Sequence, residues 1–124
     1  MYGYLIVNGI IFLIMGGRAL LKPVEAVAIP YGLIAEEVDA KNYLRSAAGG
    51  VAIAAGITQI LGVLFPKFAV AALIMVLTIL GGLVSGRLFS LLRDGKPGAL
   101  PWISGFFETL GLAFGSYWLI DALG

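Results

Sequence analysis

The chain has 124 residues, 60% of them hydrophobic and 12% charged, with a net charge of +1. Soluble domains average roughly 25% charged residues, and a domain this small leaves much of its surface exposed; a water-soluble globule is excluded, and lipid is the better solvent. The net charge rules out a strong electrostatic case for nucleic acid, and the lack of cysteine and histidine removes disulfides, thiol chemistry, haem ligation through histidine and most zinc sites. Seven carboxylates remain, but no clustered oxygen-ligand motif points to magnesium or calcium, so no cofactor or metal is expected.

Tyr2 to Leu21 reads as the first membrane span, apolar apart from Asn8, with Arg18 in its last turn. The N-terminus lacks the positive region of a signal peptide. Ala26-Val27-Ala28 has the form of a cleavage site, but Arg18 and Lys22 interrupt the run before it, so the span is expected to be retained. Pro23 stops the helix or opens a short one. Val24 to Val38, broken by Pro30 and Gly32, is too short to cross and too oily for a plain loop, which suggests an interfacial segment.

Asp39 is a plausible N-cap for the second span, residues 40–65. Within it Arg45, Gly49, Ala52, Gly56 and Gln59 recur at steps of four, three, four and three, one face of a helix. Small residues there predict close helix contact. Pro66-Lys67 is a very short turn, which makes the second span and the third, 68–93, antiparallel neighbours. Gly82 and Gly86 form a GxxxG pair, read as a packing face, and Arg87, Ser90 and Asp94 share a face beyond it. Asp94 to Gly98 is turn chemistry. The fourth span, 101–122, carries Glu108 among Ser104, Gly105, Gly111 and Gly115, a small face that predicts a carboxylate buried in protein. The expected fold is one domain, 1–124: an antiparallel bundle of four transmembrane helices with a short interfacial segment between the first two.

Arg18, Arg45, Arg87 and Glu108 each fall about 6 to 10 Å inside their helix ends, at 1.5 Å per residue, and towards the same membrane face. Lysine and arginine concentrate on that side, against Lys67 and the terminal amine on the other. The positive-inside rule therefore places both termini outside the cytoplasm. A structural reading pairs Arg87 with Glu108, Arg45 with an acid of the first loop, and lets Arg18 snorkel to phosphate headgroups. A functional reading makes Arg18, Arg45, Arg87, Ser90, Asp94 and Glu108 an anion site, because guanidinium forks suit phosphate or carboxylate. A relay through Glu108, Asn8 and Gln59 competes with ordinary helix-to-helix hydrogen bonds for the two amides. No nucleophile and base pair is visible, so catalysis ranks last.

Asn42-x-x-Arg45 with Gly49-Gly50, then Gly86-Arg87-Leu88-x-Ser90 with Asp94-Gly95, and finally Glu108, resemble the bacterial family of small four-helix membrane proteins known as domain of unknown function 4345. The likeness covers nearly the whole chain, is most specific from Gly86 to Gly95 and is loose between Pro23 and Asp39. It implies an inner-membrane protein, draws attention to Arg45, Arg87, Ser90, Asp94 and Glu108, and implies no particular activity. The function expected is a non-enzymatic protein that binds a membrane lipid or serves as accessory subunit to a membrane-protein partner. The alternative is a small transporter or channel working as a homo-oligomer.

Overall fold

A computed structural model describes all 124 residues and contains helices and connecting turns, with no strand. Helix α1 spans Tyr2–Leu21. It ends because Lys22 precedes Pro23 and is pushed out of the helical region, to φ −134° and ψ 66°. Pro23 then opens a π-helical turn, Val24–Ala28. Gly32, at φ +70°, closes the segment: the Leu33 amide donates to the Ala28 carbonyl and the Gly32 amide to that of Ile29, a Schellman arrangement that requires a left-handed residue. Ala28 and Ala35 bury themselves on Leu44, so the stretch after α1 forms a small apolar unit of its own.

Helix α2, Val38–Leu44, continues through a π-helical segment, Arg45–Gly50, into α3, Val51–Leu64. Glu37, still extended, is the N-cap; Asp39 lies inside the first turn instead of capping it, where its charge still complements the helix dipole. After a 3-10 turn at Pro66–Phe68, α4 runs from Ala69 to Asp94 and α5 from Ala99 to Leu123. Three continuous helical stretches, Tyr2–Leu21, Val38–Leu64 and Pro66–Asp94, are long and apolar enough to cross a membrane. Helix α5 is 25 residues long but is not among them, because Glu108, Ser104, Thr109, Ser116 and three glycines lower its hydropathy.

Glycines bring α1 and α3 together. A Cβ on Gly16 would lie 2.8 Å from the Ile53 amide nitrogen and 2.9 Å from the Gly49 carbonyl oxygen; one on Gly56 would lie 2.6 Å from Leu13. Gly9 meets Gln59 and Gly16 meets Ala52, so this pair of helices runs antiparallel. Between them Asn8 donates to the Gln59 side-chain oxygen at 2.8 Å, and Gln59, wholly buried, donates to the Ala55 carbonyl.

The main core joins Leu5 of α1 to Ala69, Ala72, Leu73, Val76, Leu77 and Leu80 of α4. All of these sit towards the end that carries the termini and the Pro66 turn. Every buried residue of α4 lies at or before Leu80, and Gly115 is the single buried residue of α5. Beyond Leu80 the two helices leave the core as a two-helix arm. Only 20 of the 124 residues are buried, while Ile14, Met15, Leu64, Phe89, Leu92 and Phe114 are all more than half exposed; that surface suits hydrocarbon and not water.

Candidate binding site

The arm holds the strongest polar contact in the chain. Arg87 on α4 donates from Nε to Glu108 Oε2 at 2.6 Å and from Nη2 to Oε1 at 2.8 Å, the bidentate geometry in which a planar guanidinium matches a carboxylate. The tight turn after Asp94, with Gly95 at φ +92°, brings α5 back alongside α4. Gly105 makes the reach possible: a Cβ there would lie 3.3 Å from Arg87 Cδ, so the arginine stem lies along the bare backbone towards Glu108. The acid is the more enclosed partner, at 15% exposure against 31% for the arginine.

Beside this pair opens a cavity of about 720 Å³, whose walls include Tyr31, Gly82, Gly86, Arg87, Trp102 and Phe106. Its size falls in the ordinary range for small-molecule sites, roughly 300–1,000 Å³. The residues that build it come from four parts of the chain: the far half of α4, the turn after it, the near half of α5, and the segment after α1. Tyr31 joins that segment to α5 through a 2.9 Å hydrogen bond between its hydroxyl and that of Ser104, and it also stands beside the Arg87 guanidinium. One wall is bare. A Cβ added at Gly82 or Gly86 would meet nothing within 4 Å. The expectation that these glycines pack against a helix therefore fails within this chain, because α5 crosses α4 on a different side, through Gly105, Gly111 and Gly115.

The remaining expected site residues do not gather here. Arg45 reaches back to the end of α1, where Nη1 donates to the carbonyls of Leu20 and Leu21; it satisfies groups that a helix end leaves without partners, and it pairs with no acid of the first loop. Arg18 is exposed near the end of the same helix and makes no side-chain hydrogen bond. Ser90 borders the cavity but its hydroxyl donates to Asp94 at 3.0 Å within α4. The layer of charge thus divides into the Arg87 and Glu108 pair, a capped helix end at Arg45, and an isolated Arg18. No group of three or more acidic side chains comes together to hold a metal ion.

Gly49 and Gly56 sit in the contact with α1, whereas Gly111 and Gly115 hold α5 on the core: a Cβ on Gly115 would fall 2.5 Å from Leu77 and 2.7 Å from the Tyr4 hydroxyl. That hydroxyl donates to the Gly111 carbonyl at 2.8 Å. Sequence reasoning passed over Tyr4, Tyr31, Trp102 and Phe106. The two aromatic residues of α5 carried a usable signal, since Trp102, Gly105, Phe106 and Thr109 recur at helical spacing on the cavity side. Tyr31 had none beyond its place in a Pro-Tyr-Gly turn.

A family model with the description Domain of unknown function (DUF4345) matches residues 2–119. No curated protein and no solved structure matches the chain.

Proposed function

This chain belongs to the DUF4345 family, and from that premise we propose that it is a non-enzymatic protein of the inner (cytoplasmic) membrane that binds a membrane lipid in the cavity beside Arg87. The observation that carries the reading is the cavity itself. It combines aromatic and glycine walls with one charged anchor, in an arm that also exposes Leu83, Leu88, Phe89 and Leu92. Apolar walls with a few placed polar groups are the usual make-up of a ligand site.

The same reading includes four spans. Helix α5 is paired with α4 along Arg87, Leu80 and Leu77, contacts that descend in number as Glu108, Gly111 and Gly115 ascend, which supports an antiparallel partner of equal depth. Its polar groups are matched internally: Glu108 by Arg87, and the Thr109 hydroxyl by the Gly105 carbonyl at 2.7 Å. Matched polar groups are what a bilayer tolerates. With four spans, the lysine and arginine bias sets both termini outside the cytoplasm. A transport role needs a polar path, and the polar side chains deepest between α1 and α3, Asn8 and Gln59, are hydrogen-bonded to each other.

Native mass spectrometry of the protein extracted in mild detergent tests the proposal. One lipid retained per chain is expected, and a bare chain at every detergent mildness contradicts it. The open space over Gly82 and Gly86 favours a second reading, in which a helix of a partner subunit or a second copy occupies the strip. A co-purifying polypeptide in place of lipid would support that reading.

A further inference from the structure

We infer that the cavity takes an uncharged amphiphile whose head presents a carbonyl oxygen to Arg87. This inference rests on the lipid-binding reading above and specifies the head group. Arg87 is the one cation on the cavity wall and Glu108 already matches it through two hydrogen bonds. The other basic groups of the arm point elsewhere: Arg93 lies over the Phe89 ring, 5.7 Å from its centroid, and Lys96 is exposed in the turn and does not border the cavity. Asp94 is turned to Ser90. An anionic head would therefore set a second negative charge against an arginine that is already neutralised, in surroundings that screen charge poorly. A cationic head would meet the guanidinium itself. A neutral head meets neither penalty.

Hydrogen-bonding capacity points the same way. A guanidinium has five N–H donors and no acceptor, and two of them serve Glu108. The arginine borders the cavity and the glutamate does not, so the fork is held from behind and, with the Tyr31 hydroxyl beside it, has N–H groups left for an occupant. What it can recognise is an acceptor. The nearby hydroxyl of Tyr31 is hydrogen-bonded to Ser104, and that of Thr109 to its own helix, which leaves the guanidinium as the principal polar contact. The bare strip at Gly82 and Gly86 and the rings of Trp102 and Phe106 then accept the apolar body. Two kinds of molecule share this chemistry: a glycerolipid with a neutral head, through an ester carbonyl, and an isoprenoid quinone, through a ring carbonyl.

The chain has two tryptophans, so Trp118→Phe leaves Trp102 as the only reporter, on the cavity wall. In detergent micelles, dioleoylglycerol and decylubiquinone should be titrated against dioleoylphosphatidylglycerol. We expect a saturable change in Trp102 emission with a neutral probe at a concentration at least about tenfold below that needed for the anionic lipid, and the stronger neutral probe identifies the source. Arg87→Gln should weaken the neutral probe about tenfold, the loss that one hydrogen bond to a charged group carries. Glu108→Gln should shift preference towards the anionic lipid, because it leaves the arginine unmatched. If that variant does not fold, the probe comparison on the Trp118→Phe protein still decides. Saturable binding that favours the anionic lipid, or that ignores the head group, overturns this inference and leaves the lipid site standing. No saturable response to any probe overturns both.

Discussion

At the scale of single residues, glycine position separates two kinds of consequence. Gly16 faces backbone atoms of Ile53 and Gly49 at under 3 Å, which cannot move aside as a side-chain tip can. Gly16→Ala should therefore destabilise the protein by roughly 1–3 kcal/mol through overpacking. Gly86 faces open space, and Gly86→Ala should leave stability unchanged or raise it by roughly 0.5–1 kcal/mol, as the same exchange does in any helix interior. Unfolding of both variants in mixed micelles checks the contrast. For the ion pair, Glu108→Gln should cost about 2–3 kcal/mol, somewhat below the loss for a fully buried pair because the guanidinium is 31% exposed. Adding Arg87→Gln should recover much of that loss. Strict additivity of the two single effects in a double-mutant cycle would mean that the contact contributes nothing.

At the scale of helices, Arg45 and Arg87, which the sequence puts in one layer, have different tasks. Arg45→Gln should fray the end of α1, seen as faster amide exchange around Lys22, and should leave any bound lipid in place. Loss of lipid with unchanged exchange would reverse that assignment. The contact face of α3 was legible in the sequence because Gly49, Ala52, Gly56 and Gln59 recur at helical spacing; that α1 covers it was not. The Arg87 and Glu108 pairing was legible too, since each sits about seven residues from the same turn. Gly82 and Gly86 were not: a GxxxG pair records that a backbone is bare, and nothing in the sequence says whether a helix of the same chain covers it. Arg45 misled for a related reason. Its position fixes its depth, but its partner is a pair of main-chain carbonyls, and these carry no side-chain signature.

At the scale of the whole molecule, four spans require that the Pro66 and Gly98 turns face opposite sides of the membrane. Single cysteines at those positions, in a chain with none of its own, should label from opposite sides, with Gly98 on the cytoplasmic one. Labelling from a single side would mean that α4 does not cross, and would remove the four-span arrangement. The unequal distribution of the core, dense near the termini and absent beyond Leu80, explains why the site could not be located from composition alone. Every helix of this chain is apolar, and the cavity beside Arg87 forms where α4 and α5 leave the core. The central claim is that this cavity is a binding site and not a void left by loose packing. Gly86→Leu tests it most directly, because a Cβ there meets nothing within 4 Å and the new side chain enters the cavity. The variant should unfold like the wild type but retain no lipid in native mass spectrometry; lipid held at wild-type stoichiometry by the folded variant would mean that the cavity is a void.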